Sequence, residues 1–186
     1  MKLGVLPIGQ VPNKVPRDLA RALPTIFPDT LCLALENPWP LPATAYVETR
    51  RQYSSSVILS GVGAFAEDYA GFDRVLGVVD VDVFASGLNF VFGEAYTPGK
   101  AALISLWRLK PSFYSETASS DVFAKRVLKE AVHEAGHTLG LKHCSKESCV
   151  MHFSNSISDT DKKESLFCRQ HYLQASLAIK RFRETP

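Results

Sequence analysis

The feature that most constrains the fold of this 186-residue chain is the run HEAGHTLGLKHCSKESCVM, which extends from His133 to Met151. It contains three of the five histidines and two of the four cysteines, and imidazole and thiolate groups are usual zinc ligands. His133 and His137 are four residues apart, so on a helix their side chains lie only about 40° apart around the axis. The run therefore predicts a helix that presents two imidazoles to one metal ion.

A third ligand and a general base fit into the same run. Glu134 lies beside the first imidazole and can reach a metal-bound water, as in the H-E-x-x-H arrangement. Catalytic zinc takes three protein ligands and leaves one position for water. Gly140 accepts the left-handed conformation that ends a helix, and the turn can carry His143 back to the metal. We predict that His133, His137 and His143 bind a catalytic zinc and that Glu134 is the general base, which matches the metzincin signature H-E-x-x-H-x-x-G-x-x-H.

The remaining soft ligands form two short pairs. Cys144 and Cys149 are a C-x4-C pair directly after the third histidine, and Cys168 and His171 are a C-x-x-H pair. Four such ligands suit a closed tetrahedral site, so the pattern predicts a second, structural zinc. Three alternatives stay open: free thiols with a surface histidine, a disulfide between the first two cysteines, and His152 as the fourth ligand.

The order of these residues resembles the pattern of the archaemetzincins, H-E-x-x-H-x-x-G-x-x-H-C-x4-C-x-M followed by C-x-x-C. Here it reads HEAGHTLGLKH, CSKESC, VM and, later, CRQH. His171 stands where the family pattern has its last cysteine, which implies a Cys3His site. Met151 takes the place of the methionine turn, an apolar floor beneath the metal. The stretches NFVFGEAY, from Asn89, and SLWRL, from Ser105, also resemble that family.

This resemblance implies a metzincin-like α/β fold, with a twisted mixed sheet of about five strands, an antiparallel edge strand, an active-site helix and a zinc-bearing C-terminal segment and helix. We expect one domain over residues 1–186, with the sheet and active-site helix in 1–140 and the structural zinc in 141–186. The edge strand of metzincins lines the cleft and pairs with extended peptide. That role implies cleft contacts here from Leu88, Asn89, Phe90, Val91, Phe92 and Gly93, and an ordinary sheet strand is the alternative.

Hydrophobic periodicity predicts the remaining elements. One helix is predicted to begin near Pro16, and another to run from about 119 to 139 and stop at Gly140. Residues 51–65 and 168–182 are predicted helices, whereas 111–120 and 144–166 are predicted to be irregular. The predicted strands are 3–8, 31–35, 74–83, 88–96 and 101–109, the last two forming a hairpin. This order indicates a mixed, mainly parallel sheet with one antiparallel strand near an edge.

Composition and charge limit the partners. The apolar fraction of 46% and charged fraction of 22% are ordinary for a globular protein, and a net charge of +2 favours no particular partner. No basic block resembles a nucleic-acid footprint, and Lys180, Arg181 and Arg183 are interpreted as a solvated helix face. No segment reaches the roughly 20 apolar residues of a membrane span, and no signal peptide is recognised. We therefore expect a cytoplasmic monomer that acts on a peptide or protein, without nucleic acid or membrane.

The activity predicted from these residues is that of a zinc-dependent metallopeptidase. Zinc lowers the pKa of its water from about 15.7 towards about 7 and polarises the scissile carbonyl, and Glu134 moves the water's proton to the leaving amine. The alternatives are a catalytically weak or inactive zinc-containing module that binds peptides and, less well supported, a zinc-finger-like nucleic-acid binder. Asp80 and Asp82 are interpreted as cap or surface residues, and Cys32 as a buried core cysteine instead of an inhibitory ligand.

Overall fold

A five-stranded sheet lies at the centre of the computed structural model, which describes residues 1–69, 71–117 and 119–184. The strands in these residues are β1 (Lys2–Ile8), β2 (Leu31–Ala34), β3 (Tyr46–Val47), β4 (Gln52–Ser54), β5 (Arg74–Val79), β6 (Val83–Phe84), β7 (Gly93–Ala95) and β8 (Ala101–Ser105). The central sheet has the order β2-β1-β5-β8-β7. Its first four strands are parallel, and β7 pairs antiparallel with β8 at the edge. The predicted mixed sheet with an antiparallel edge strand is confirmed.

Helices pack on both faces of this sheet. They are α1 (Lys14–Ala22), α2 (Ser55–Asp68), α3 (Ser120–Thr138), α4 (Ile157–Lys162) and α5 (Arg169–Glu184). Leu76 and Val78 of β5 share one apolar cluster with residues of α1, α3 and α5, whereas Val75 and Val79 share another with α2. Side chains alternate along a strand, so a strand between two helical layers is apolar at nearly every position. This layering explains why β5 is a nearly continuous apolar run.

A second sheet, formed by β3, β4 and β6, was not predicted. It takes residues from two predicted elements. Gln52–Ser54 belongs to β4, so α2 begins at Ser55 instead of residue 51. The predicted strand 74–83 is divided into β5 and β6, because the chain leaves the central sheet after Val79 and pairs with β4 from Val83.

Asp80 and Asp82 lie in the break between β5 and β6. Asp80 forms an ion pair with Lys110, and Asp82 forms one with Arg108, each at 2.6 Å. The aspartate side chains are 16% and 17% exposed, so they are partly buried ion-pair partners instead of helix caps or fully exposed surface residues. The two ion pairs hold the segment that contains Arg108 and Lys110 against the break between β5 and β6. The strand β8 therefore ends at Ser105 instead of at residue 109.

The predicted strand 88–96 is shorter than expected. Only Gly93–Ala95 pairs with β8, and residues 88–92 are irregular. Arg50 donates hydrogen bonds to the carbonyl oxygens of Leu88 and Asn89 at 3.1 Å, and Gln52 donates to that of Asn89 at 3.0 Å. These side chains bind the start of the segment, whereas the carbonyl oxygen of its last residue, Phe92, still accepts a hydrogen bond from the backbone N–H of Ser105 at 2.8 Å. The predicted hairpin between β7 and β8 is confirmed.

The C-terminal part contains a short helix, α4, within the stretch predicted to be irregular. Ser156 and Asp159 form a capping box at its first turn, and this S-x-x-D spacing was a usable sequence signal. α5 begins one residue after its predicted start. Lys180 and Arg181 occupy exposed positions on α5, and the side chain of Arg183 lies outside the described residues. Within the described ranges, no helix combines the length and apolar character that crossing a membrane requires.

Candidate active site

α3 presents two histidines on one face, and the turn that follows it adds a third. The helix ends at Thr138, and Gly140 has a φ of +87°, a left-handed conformation that glycine adopts without steric cost. This turn returns the chain, so that His143 lies beside His133 and His137. One ring nitrogen from each histidine lies within 4.8 Å of the other two. The structure thus brings together the three predicted ligands of the catalytic zinc.

Backbone carbonyls fix the orientation of two of these rings. Nδ1 of His133 donates to the carbonyl oxygen of Val150 at 2.8 Å, and Nδ1 of His137 donates to that of Leu141 at 2.7 Å. Because Nδ1 carries the hydrogen in each ring, Nε2 carries a lone pair, and the two Nε2 atoms are 3.1 Å apart. Two lone pairs that face each other at this distance repel unless a cation lies between them. The donor set therefore fits a metal ion, with the outer hydrogen bonds that metal-binding histidines commonly make.

The surroundings keep these histidines neutral. The pKa of His133 lies well below its usual range, because burial disfavours the imidazolium form and the Lys163 ammonium adds to the effect. Burial also lowers the pKa of His137 and of His143. Neutral imidazole is the form that binds metals, so burial prepares the site for an ion.

Glu134 is buried beside these rings. Its pKa lies well above its usual range because of burial, and the negative charges of Glu130 and Glu94 raise it further. Gly93 of β7 makes room for this side chain. A Cβ at Gly93 would lie 2.5 Å from Cγ of Glu134 and 2.6 Å from the carbonyl oxygen of Leu103. The glutamate therefore packs directly against the edge strand.

A cavity of about 220 Å³ lies beside Glu134, and we call it the flanking pocket. Three parts of the chain line it: α3 through Glu130, His133 and Glu134, the segment 88–93, and residues 153–155. All six residues predicted for the cleft are among its lining residues: Leu88, Asn89, Phe90, Val91, Phe92 and Gly93. Only the last of these belongs to a strand, so most of this wall is irregular backbone.

Met151 packs against α3 at Gly136. The methionine is completely buried, and a Cβ at Gly136 would lie 2.7 Å from its Sδ atom. The sulfur therefore fills the space that a larger residue on the helix would need. This packing fits an apolar floor under the histidine-bearing turn of α3.

Replacing Gly136 by Ala is expected to lower the free energy of unfolding. Overpacking against Met151 costs about 1–3 kcal/mol, which offsets or exceeds the roughly 1 kcal/mol gained in helix propensity. The matched control is Gly61→Ala in α2, where an added Cβ meets no atom within 4 Å and only the propensity gain applies. Urea unfolding of both variants measures the difference. An equal gain in the free energy of unfolding for Gly136→Ala and Gly61→Ala would contradict the close packing of Met151 against Gly136.

The four predicted ligands of the structural zinc also come together. One ligand atom from each of Cys144, Cys149, Cys168 and His171 lies within 4.8 Å of the other three. Nδ1 of His171 is 3.2 Å from Sγ of Cys168 and 3.8 Å from Sγ of Cys149. Nε2 of His171 donates to the carbonyl oxygen of Lys142 at 3.1 Å, so Nδ1 directs its lone pair towards the cysteines. This is the donor set of a closed site.

Of the three alternatives for this cluster, His152 as the fourth ligand and a disulfide between the first two cysteines are not supported. Nδ1 of His152 donates to the carbonyl oxygen of Cys144 at 2.9 Å, and its ring is not one of the four clustered groups. All four cysteines of the chain are free thiols, so Cys144 and Cys149 form no disulfide. Cys32 is buried in β2, and burial raises the pKa of its thiol to about 12. It is a core residue, as predicted.

Glu130 and Lys163 form a buried ion pair that sequence reasoning missed. Nζ of Lys163 lies 2.9 Å from Oε1 of Glu130, and the side chains are 0% and 4% exposed, respectively. Thr160 donates a hydrogen bond to the same oxygen at 3.1 Å. Glu130 precedes Glu134 by one helical turn, so its place on the same face was predictable from α3. Its partner comes from the segment after α4, and no local pattern indicated it.

Replacing Lys163 by Met is expected to lower the free energy of unfolding by about 3–5 kcal/mol, because Glu130 is left buried without its cation. The double variant Glu130→Gln/Lys163→Met removes both charges and is expected to recover most of that loss. The control is Lys100→Met, which breaks the exposed pair with Glu67 and is expected to cost less than about 1 kcal/mol. Urea unfolding measures all three. Equal losses for the buried and exposed pairs would contradict the burial of Lys163.

Two histidines four residues apart on a helix, with a glutamate beside the first, are an arrangement of zinc metallopeptidases, and comparisons with known proteins agree. The model of peptidase family M54 matches residues 42–175. The chain belongs to this family, the archaemetzincin family. The resemblance inferred from the histidine and cysteine pattern is thereby confirmed, and the family supports a zinc-dependent peptidase that acts on peptides or proteins.

Individual relatives match along nearly the whole chain. The archaemetzincin of Methanocaldococcus jannaschii is 42% identical over 170 residues, which cover 91% of this chain and 90% of that protein. The crystal structure of archaemetzincin from Archaeoglobus fulgidus is 40% identical, with a TM-score of 0.79 and coverage of 94% of this chain and 99% of that one. The structure from Methanopyrus kandleri is 33% identical, with a TM-score of 0.84 and coverage of 97% and 96%. The predicted fold class is confirmed.

Proposed function

We propose that this chain hydrolyses peptide bonds, with His133, His137 and His143 as ligands of a catalytic zinc and Glu134 as the general base. The observation that carries the proposal is the pair of Nε2 atoms that face each other at 3.1 Å, with the buried carboxyl group of Glu134 beside them. Three neutral imidazoles form a donor set that catalytic zinc accepts.

The chain's own residues supply the proton transfers. A zinc ion bound by the three imidazoles would act as a Lewis acid, lowering the pKa of a bound water and polarising the scissile carbonyl. Glu134 accepts a proton from the attacking water and delivers it to the nitrogen of the leaving amine. The water oxygen bonds to the carbonyl carbon, the C–N bond breaks, and the proton ends on the amine. Burial raises the pKa of Glu134, so its carboxylate is a stronger proton acceptor than an exposed one.

The peptide is proposed to lie along β7 and the segment 88–92. β7 pairs with β8 along one side and is the edge of the sheet on the other, so it can accept another strand. Arg50 and Gln52 bind the carbonyl oxygens of Leu88 and Asn89, so these two residues offer a peptide fewer free backbone groups than Gly93–Ala95 does. Side-chain contacts in the flanking pocket therefore contribute more to binding than they would beside a long edge strand.

A second zinc is proposed at Cys144, Cys149, Cys168 and His171, where it has a structural role. Four protein ligands close a tetrahedral site and leave no position for a reacting water. The backbone N–H of Cys144 donates to the carbonyl oxygen of Met151 at 2.9 Å, so the cluster also holds the methionine turn. With this site the chain binds two zinc ions. A cytoplasmic location and a monomeric state stay predictions.

The test is the digestion of a peptide library by the zinc-loaded protein, with the metal content measured on the same sample. We expect new peptide termini by mass spectrometry and close to two zinc ions per chain. Peptides that bind but stay intact would contradict hydrolysis and favour the peptide-binding module. A metal content near one after full loading would remove one of the two sites.

A further inference from the structure

The flanking pocket is lined by apolar side chains, by carboxyl groups and by a hydroxyl group. Phe90, Phe92 and Phe153 are among its aromatic lining residues, and Glu130 and Ser154 are among the polar ones. A water molecule takes about 30 Å³ in the liquid, so the volume of about 220 Å³ exceeds what one or two waters fill. The pocket is of a size for one amino-acid side chain, next to the glutamate proposed to act on the scissile bond.

Ser154 carries a buried hydroxyl oxygen without a hydrogen-bond partner among the described residues. Buried polar atoms are nearly always bonded, and an unbonded one costs free energy. A hydroxyl donates one hydrogen bond and accepts others, so a carboxamide, which has both a donor and an acceptor, can bond to it in either direction. Because Ser154 lines the flanking pocket, a ligand in the pocket can supply that partner.

Glu130 adds an acceptor to the same pocket. A carboxylate offers about four acceptor positions, and the contacts with Lys163 and Thr160 account for two of them. The ion pair with Lys163 is neutral as a unit. Lys163 already neutralises Glu130, so this carboxylate attracts a cationic ligand less, and an anionic ligand would lie near the carboxyl groups of Glu130 and Glu134. The pocket therefore disfavours charged side chains of either sign.

We propose that the flanking pocket selects a carboxamide side chain, glutamine or asparagine, on a residue next to the scissile bond. The amide NH2 group donates to Glu130, and the amide oxygen accepts from the hydroxyl group of Ser154. The aliphatic stem of the side chain packs against the aromatic walls. This specificity rests on the proposed peptidase function, because that function places the peptide beside Glu134.

The test uses the zinc-loaded protein and a set of peptides. Each peptide carries Gln, Met, Glu or Lys at one of the two residues that flank the cleaved bond, and the peptides are otherwise identical. Gln and Met have similar length, so their comparison isolates the amide. We expect kcat/KM for Gln to exceed that for Met by about 10-fold to 100-fold, the effect of leaving buried polar groups unpaired. Ser154→Ala is expected to reduce the Gln-to-Met ratio at least about fivefold. The control Ser176→Ala removes an exposed hydroxyl on α5 and is expected to leave the ratio unchanged.

Binding separates failure of the specificity from failure of the peptidase function. If no peptide is cleaved, dissociation constants of the same peptides are compared on the zinc-loaded protein by fluorescence anisotropy. Tighter binding of the Gln peptide, lost in Ser154→Ala, would support the pocket although hydrolysis has failed. Equal values for Gln and Met, an unchanged ratio in Ser154→Ala, or no binding of any peptide would overturn the proposal.

Discussion

Replacing Glu134 by Gln is expected to lower kcat/KM for peptide hydrolysis by about 100-fold to 10,000-fold, the contribution of a positioned general base. Gln keeps the size and shape of the side chain and removes its ability to accept a proton from water. The three imidazoles are unchanged, so the zinc content is expected to stay the same. Hydrolysis of a fluorogenic peptide and metal analysis of the same preparation measure the two effects.

Stability distinguishes the loss of a base from a folding defect in this variant. Burial raises the pKa of Glu134, so ionising this carboxyl group is unfavourable, and a neutral amide avoids that cost. Glu134→Gln is therefore expected to unfold at no lower urea concentration than the native protein. Glu36→Gln, at an exposed position outside the site, is the matched control and is expected to retain full activity. Activity of Glu134→Gln within tenfold of the native value would exclude this glutamate as the base.

Replacing His171 by Ala is expected to remove one of the two zinc ions and to lower the free energy of unfolding by more than about 4 kcal/mol, a large effect for one substitution. Structural zinc contributes about 10–16 kcal/mol to the folding of small zinc-finger peptides. The free energy lost with weakened zinc binding is therefore larger than the loss from an ordinary side-chain truncation. His171→Cys restores the last cysteine of the archaemetzincin pattern and is expected to keep both ions.

His152→Ala provides the matched control for this ligand. His152 lies near the same cysteines, but its ring is hydrogen-bonded to the carbonyl oxygen of Cys144 and is outside the cluster. This variant is expected to retain two zinc ions and to lose at most about 1–2 kcal/mol from the broken hydrogen bond. Metal analysis after full loading, with urea unfolding, compares the three variants. Loss of zinc from His152→Ala but not from His171→Ala would reverse the assignment of the fourth ligand.

Local spacing was enough to predict the histidine cluster. His133, His137 and Gly140 act within one helix and its end, so helix geometry and the conformational freedom of glycine determine where they lie. The parallel sheet was predictable for a similar reason, because each buried strand is a short apolar run. The cluster of Cys144, Cys149, Cys168 and His171 was predictable because it consists of two short ligand pairs, each visible in the sequence.

Features that depend on distant partners could not be predicted in this way. The segment 88–92 has the composition of a strand, but Arg50 and Gln52 hold its carbonyls in an irregular course. The three-stranded sheet consists of elements of two or three residues, which are too short for a periodic signal. Lys163 resembles a surface lysine in sequence, and only the packing of the chain around α3 brings it to Glu130.

The adjacency of His143 and Cys144 makes the two proposed metal sites depend on one peptide unit. Carbonyl groups hold the rings of His133 and His137, whereas the ring of His143 packs against other rings, with centroids 4.8 Å from Phe153 and 4.9 Å from His137. The position of the His143 ring therefore depends on Cys144, the next residue, which belongs to the cysteine cluster. Burial raises the pKa of Cys168 and a backbone hydrogen bond from His171 lowers it, to about 6, which favours the thiolate, the form that binds zinc and that oxidants attack. Oxidative damage at the sulfur atoms is thus expected to disable a centre whose own ligands are all nitrogen.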